Sequence, residues 1–329
     1  MKIHYLETGS TNPFYNLAFE EYVLLNRREG DCLLLWQNRN TIVVGQNQNT
    51  DEEINHSFVE AHQIRVVRRS TGGGAVYHDL GNLNYSFITD IGDPEKMSVG
   101  RFMAPVVEAL KGLGLHAEAS GRNDILIDGK KVSGTAQRMT RNRILHHGTL
   151  LFDSNPEMVE GALRVDPEKY RSKGIKSVRS RVGNIRDFLK EDMTLPEFWT
   201  YLKGALLAQD FSADQLSPDE FAAVTALKES KYDTWEWNYG HSPAYNFRNR
   251  KRFKGGSLEA LVFVKDGIIE EAAFYGDFLS LRPVKEVSDG LAGCRFASPD
   301  IRNVLGKYSL DEYFGSLSQD DILSVFFDA

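Results

Sequence analysis

The chain is poor in cysteine, in long apolar runs and in excess positive charge, and each shortage removes a class of protein. Its two cysteines, Cys32 and Cys294, stand far apart, and neither falls in a CxxC or other metal-ligand spacing. A disulfide scaffold is therefore not expected, and a reducing, cytoplasmic setting is. No apolar run approaches the ~20 residues that a membrane span needs. The segment Met1 to Glu7 carries an early acid where a signal peptide would carry an apolar core. The formal charge of -7 argues against general nucleic-acid binding, which calls for a basic face or stripe. Internal repeats and low-complexity tracts are lacking as well.

What is present is a chain of 329 residues with enough apolar sequence for about two domains. Residues 16–28 (NLAFEEYVLLNRR) read as an amphipathic helix, with Pro13 near its start and Gly30 beyond its end. Strand-like runs cover 32–36, 41–45, 65–69, 83–88, 125–127 and 144–152, and 101–113 reads as a helix that ends at glycine. Strands follow one another through loops as often as through helices, so the class is α+β and not a doubly wound sheet. Residues 239–243 (YGHSP) read as a linker. A hairpin then spans 258–264 and 268–275 across Lys265-Asp266-Gly267, and helices are expected over 284–290, 300–308 and 318–327. The expected division is a domain over 1–245 and a small α+β domain over 246–329.

Four stretches could carry chemistry. In RRSTGGGAVYHD (68–79), three glycines permit close backbone approach to a ligand, and two arginines suit a phosphate or carboxylate. No Gly-Lys-Ser/Thr follows, so this is no Walker loop, and it does not match GxGxxG; a tight turn between strands would use the same glycines. In GRND (121–124) and KKVSG (130–134), Asp128-Gly129-Lys130 resembles a hairpin turn with a solvated lysine. His146 and His147 lie in an apolar strand, where neighbours point to opposite faces, so at most one of them can face a given site. Residues 169–181 (KYRSKGIKSVRSR) read as a solvated charge run or as a mobile anion-binding loop.

Taken together, RRSTGGGAVYHDLGNLNYSF (68–87), GRNDILI (121–127), KVSGTAQ (131–137), HHGTLLF (146–152), KGIKSVRSRV (173–182) and WEWNYGHSPAY (235–245) resemble the lipoate–protein ligase A family, in that family's order and over nearly the whole chain. The resemblance implies a biotin/lipoyl ligase-like catalytic domain, related to class II aminoacyl-tRNA synthetases, with a small C-terminal accessory domain. It implies ATP-dependent activation of lipoate to lipoyl-AMP with Mg²⁺, then transfer to lysines of lipoyl-accepting domains. Those acceptors would be 2-oxoacid dehydrogenase E2 subunits or the glycine cleavage H protein.

Residue by residue, the resemblance gives Lys131 the catalytic role, shared between lipoate and the activated phosphate. It gives ATP binding to Arg69, Gly74, Ala75, Val76, Tyr77, Asn123, Asp124, Lys131 and Ser180. Lipoate binding falls to Lys131, Arg69, Gly73, His78 and His147, with Thr149 in the same segment and Asp124 the candidate metal ligand. Leu17, Trp36 and Val44 suit the apolar lipoyl chain, although they would read equally well as core. Arg138, Arg141 and Arg143, with 169–181, are expected to form a basic face that steers an acidic acceptor.

Two rivals remain at this point. A cofactor-independent octanoyl- or lipoyl-transferase of the same superfamily needs a nucleophilic cysteine shortly after the HG strand, and 152–176 contains none. A non-catalytic lipoate- or nucleotide-binding protein would not need Lys131, Arg69 and the complete glycine loop together. A biotin ligase is disfavoured because its basic glycine-arginine loop is absent.

Overall fold

The computed structural model describes residues 3–27, 30–91, 98–121, 123–163, 181–207, 211–239 and 245–327. They form two compact units: Met1–Val43, Ile54–Val67 and Val76–Thr234 in the first, and Val44–Glu53, Arg68–Ala75 and Trp235–Ala329 in the second. The strands are β1 (Ile3–Glu7), β2 (Asp31–Trp36), β3 (Thr41–Val44), β4 (Arg65–Arg68), β5 (Val76–His78), β6 (Asn82–Asp90), β7 (Ala117–Ser120), β8 (Asp124–Ile127), β9 (Lys130–Met139), β10 (Arg143–Leu151), β11 (Phe211–Ala213), β12 (Phe247–Phe253), β13 (Gly256–Lys265) and β14 (Ile268–Gly276). The α-helices are α1 (Pro13–Asn26), α2 (Thr50–Glu53), α3 (His56–Ala61), α4 (Val99–Gly112), α5 (Pro156–Ala162), α6 (Leu195–Leu207), α7 (Pro218–Leu227), α8 (Trp235–Asn238), α9 (Lys285–Gly290), α10 (Ser298–Leu305), α11 (Leu310–Phe314) and α12 (Gln319–Phe327).

The first unit is built on a mixed sheet of order β11-β1-β2-β6-β10-β9-β8-β7. Strand β1 runs parallel to β11 and β2, and the pairs from β2 to β7 are antiparallel. One face carries Leu33, Leu35, Leu83, Tyr85, Ile125, Ile127, Val132 and Leu150, packed on Val106 and Leu110 of α4 and on Phe198 and Leu202 of α6. Full burial of such side chains contributes ~1.5–3 kcal/mol each, before entropic costs. Helix α1 covers part of the other face. It starts where the Asn12 side chain accepts from Phe14 N at 3.0 Å, with Pro13 pre-set in the first turn. A smaller sheet of order β4-β3-β5 leads toward the glycine-rich stretch.

In the second unit, β12-β13-β14 form an antiparallel sheet. Leu258, Val262 and Phe274 of that sheet share a core with Ile301, Phe314, Ile322 and Phe326 of the helices. The expected hairpin and three helices are present, together with β12 and α11, which the sequence reading left out. Strand β12 (FRNRKRF) has apolar residues only at its ends, so it lacks the alternation that marks a half-buried strand.

Candidate functional site

Directly opposed residues of paired strands point to the same side of a sheet. On the face under α1, Trp36 opposes Asn84, which opposes Thr149; Ser86 opposes His147, which opposes Ala136. Strict alternation would turn Lys131 away from Gly134 and Ala136. A bulge prevents this. Ile125 opposes Ser133 while Leu126 opposes Lys131, so Val132 is one residue more than its partner strand supplies. Val132 enters the core on the far face, and Lys131 turns to the near face beside Asp124, which opposes Gly134. The neighbouring Lys130 opposes the core residue Ile127 and so lies on the far face.

Lys131 Nζ lies 2.7 Å from Asp124 Oδ1, and Arg181 Nη2 lies 2.7 Å from Asp124 Oδ2. Burial would raise the Asp124 carboxyl, but Lys131 and then Arg181 outweigh it and hold it below the usual carboxylate range. Val182 bridges to Lys131, and Gly183 N donates to Lys131 O at 3.0 Å, so the chain leaving the charge run returns alongside this lysine. Asn123 does not project alone: its Nδ2 donates to Thr135 O at 2.8 Å and its carbonyl accepts from Thr135 N at 2.8 Å. Gly134 N donates to Thr149 Oγ1 at 3.2 Å.

The two histidines separate as the strand rule requires. His146 is fully buried on the core face, stacked on Phe102 at 5.1 Å, and burial pushes its pKa down to about 3. His147 is on the Lys131 face, with Nδ1 at 3.0 and 3.1 Å from the two Glu20 oxygens. Trp36 is buried, and its Nε1–H donates to Ser86 Oγ at 2.9 Å. His78 lies edge-on to Trp36 at 6.4 Å, with its Nδ1 3.2 Å from Asn38 Nδ2. Tyr77 donates to Asn40 Oδ1 at 3.0 Å, Val76 opposes Val43, and Leu17 is buried in α1. The first unit therefore brings Trp36, Asp124, Lys131, His147 and Thr149 to one sheet face, with Leu17 on the helix that covers part of it, whereas Asn123, opposite Thr135, falls toward the core face. Glu20 and Ser86 escaped the sequence reading; the signal for Glu20 was an acid pair inside the apolar run of a helix.

The glycine loop belongs to the second unit. Arg69 N donates to Val44 O at 2.9 Å, and its side chain turns back into its own loop. Nη2 donates to Gly72 O at 2.6 Å and Gly74 O at 2.9 Å, and Nε donates to Thr71 Oγ1 at 2.9 Å. Two glycines are required here: Gly73 has φ +89°, and a Cβ on Gly45 would meet Gly73 O at 1.9 Å. Arg68 was read as part of a phosphate-binding pair, but it is buried among backbone acceptors. Its Nη1 donates to the carbonyls of Gly45, Gln46 and Gln48, its Nε donates to Trp237 O, and its Nη2 donates to Thr50 Oγ1. Burial lowers its pKa to about 10. Asn238 Oδ1 accepts from Arg68 N at 2.9 Å, and Trp237 Nε1 donates to Arg68 O at 2.8 Å. The WEWN segment thus clasps the start of the glycine loop, which gives that motif a structural reason.

Ser180 and most of the charge run, 169–180, lie outside the described residues. The expected basic face needs correcting. Arg143 is buried, ion-paired to Asp90 at 2.7 Å and donating to Gly30 O at 2.8 Å. Arg138 pairs at 2.6 Å with buried Glu21, which Lys231 and Tyr232 also engage. Of the three arginines, Arg141 is exposed. Both interior residues sit at strand positions whose cross-strand acids were not visible in the linear pattern. Cys32 is buried, with burial raising its thiol pKa, and Cys294 belongs to the second unit.

The first unit thus holds a bulge-turned lysine beside an ionised carboxylate, and the second holds a glycine loop organised by arginine and a three-stranded sheet. Residues 12–207 match the lipoyl protein ligase A/B catalytic domain, and residues 242–326 match the bacterial lipoate protein ligase C-terminus. The chain belongs to the lipoate–protein ligases. It is 42% identical over 315 residues to lipoate–protein ligase 1 of Staphylococcus aureus, covering 95% of this chain and 96% of that protein. It is similar to a crystal structure of lipoate-protein ligase A bound with ATP: TM-score 0.63 and 29% identity, over 73% of this chain and 98% of that one. A bipartite lipoate protein ligase of Thermoplasma acidophilum, studied with its E2 lipoyl domain, aligns with TM-score 0.65 and 32% identity, over 75% and 98% of the two chains.

Proposed function

We infer that the chain uses ATP to activate lipoate to lipoyl-AMP and then transfers the lipoyl group to a lysine of an acceptor domain, with the Lys131 face carrying the chemistry. The observation that carries the assignment of this face is the bulge at Val132, which turns Lys131 to the face that also carries Thr149 and His147, with its ammonium beside Asp124. Attack of the lipoate carboxylate oxygen on the α-phosphorus forms the C–O–P anhydride and releases pyrophosphate. Two anions must approach, and the repulsion costs several kcal/mol in a partly dry site unless a cation stands between them. Lys131 is that cation, held in readiness by Asp124, and its charge counts most as charge shifts in the transition state. Transfer then breaks the acyl–oxygen bond as the neutral amine of the acceptor lysine attacks, and AMP leaves.

Among the described residues, no group of three or more His, Cys, Asp or Glu could hold a metal ion. The donor set still fits Mg²⁺, which is commonly held by one or two carboxylates together with substrate phosphates. Ionised Asp124 would hold it, and its charge would offset that of the phosphates. Arg69, Gly73, Gly74, Ala75, Val76, Tyr77 and Asn123, with Ser180, are proposed for nucleotide and phosphate, and Leu17, Trp36, His78 and His147 for lipoate. Residues 1–245 are proposed as the catalytic domain and 246–329 as the accessory domain. The proposed acceptors are E2 lipoyl domains or the glycine cleavage H protein, and the proposed setting is the cytoplasm. The acyl-enzyme route is disfavoured, since Cys32 is buried with a raised pKa. The test is lipoate-dependent ATP–pyrophosphate exchange with purified protein. Efficient transfer from an acyl carrier protein without ATP would overturn the assignment.

A further inference from the structure

We propose that His146 makes the first unit acid-sensitive: its ring is sealed on the core face of β10 with nothing to receive a second N–H, so the folded strand refuses a proton that the unfolded chain accepts, and acid opens the sheet that carries Lys131, Thr149 and His147. His146 is 0% exposed. Among the described residues, neither its Nδ1 nor its Nε2 has a hydrogen-bond partner. An imidazolium has two donors and no acceptor, and burying one without acceptors or a counter-ion is strongly unfavourable.

The groups around the ring supply neither. Phe102 of α4 stacks on it at 5.1 Å, Phe87 of β6 opposes it, and the Tyr85 ring of β6 lies 6.1 Å away. Burial pushes the Tyr85 hydroxyl up, so it stays neutral in acid. Gln137 opposes His146 on β9, and the Nε2 of that uncharged amide is also buried without a partner. The charged residues of these elements lie elsewhere. Arg101, Glu108 and Lys111 of α4 are exposed. Lys131 and Arg138 of β9 are on the opposite face, and Lys130 stands at the other end of that strand from Gln137. Asp90, at the end of β6, is paired with Arg143 of β10. His147, next along β10, points to the other face and also disfavours charge on His146.

Burial lowers the ring from its ordinary 6.5 to about 3. A base whose folded value is depressed contributes fully above its unfolded value and loses that contribution as pH falls. From about pH 6.5 down to about pH 3, this one residue should weaken the folding equilibrium about tenfold per pH unit. Strand β10 pairs with both β6 and β9, so its loss removes the site face with it.

The experiment uses the full chain with ¹³C-labelled histidine rings, unfolded in urea at a series of pH values, beside His146→Phe, which keeps an aromatic ring against Phe102. The His147 signal, assigned by its loss in His147→Gln, reports the unfolding of β10 in both proteins. Titrations shared by the two proteins cancel in the difference. Between about pH 7.5 and about pH 4.5, the unfolding equilibrium of the unmodified protein should shift about 100-fold more than that of His146→Phe. An equal pH dependence in the two proteins overturns the proposal. The unmodified protein decides alone if His146→Phe does not fold: its folded His146 signal should remain that of a neutral ring over this range, and a midpoint near the ordinary histidine value in folded protein overturns the proposal.

Discussion

Adding a single methyl group at Gly134 should impair adenylation while sparing the fold. A Cβ built on Gly134 would stand 3.0 Å from Lys131 Nζ and 3.2 Å from Lys131 Cε. Ordinary contacts between carbon atoms lie near 3.5–4.0 Å, so the lysine tip must retreat by about half an ångström. That tip ends a long side chain that is 24% exposed, so it can shift at little cost in stability. The Gly134 backbone is not in the left-handed region, so alanine is tolerated there and should contribute ~0.5 kcal/mol through the unfolded chain. A misplacement of ~1 Å can cost 10²-fold in rate, so roughly a tenfold loss is expected for half that displacement. Gly148→Ala supplies the contrast: its Cβ would meet the ring and hydroxyl of fully buried Tyr85 at 2.5–2.7 Å, and that ring has no room to yield. Overpacking there should cost ~1–3 kcal/mol. The assay is lipoate-dependent ATP–pyrophosphate exchange read beside thermal unfolding. Gly134→Ala with unchanged exchange and unchanged Tm would refute the claim that the ammonium must occupy its observed position.

Two further outcomes separate structure from chemistry elsewhere. Arg143→Glu should destabilise by ~2–4 kcal/mol, because it leaves a buried ion-pair position reversed in sign, whereas Arg141→Glu should stay within ~0.5 kcal/mol; circular-dichroism melts decide this, and equal melts would contradict the burial of Arg143. Asn238→Ala should weaken ATP binding several-fold through the glycine loop, because it removes an acceptor for Arg68 N; calorimetric titration with ATP checks it, and unchanged affinity at unchanged Tm would deny the clasp any bearing on the loop.

Much of this was legible in the residues, and the parts that were not have physical reasons. The strands of the main sheet could be read because β2, β6 and β10 carry dense apolar runs that end at loops. The separation of His146 from His147 followed from strand alternation alone. The facing of Lys131 did not, because a bulge shifts the parity of β9 and leaves no mark in composition. Strand β12 was missed because Asn249 and Lys251 interrupt the side that Phe247 and Phe253 begin and end, so no apolar alternation shows. The three arginines after the KVSG motif looked like a surface cluster, yet Arg138 and Arg143 meet Glu21 and Asp90, acids distant in sequence. Arg68 beside Arg69 looked like half of a phosphate fork, and only the fold reveals that backbone carbonyls use its donors.

The account turns on Lys131, and single-turnover formation of lipoyl-AMP in Lys131→Ala and Lys130→Ala tests it most directly. Loss of a preorganised cation used in the transition state costs ~3 kcal/mol or more, equivalent to at least about 100-fold in rate. Lys131→Ala should therefore fall by that factor with its fold intact. Lys130→Ala, altered on the opposite face of the same strand, should stay within about threefold of the unmodified enzyme by the usual mildness of changes outside a site. Equal rates in the two variants would contradict the account.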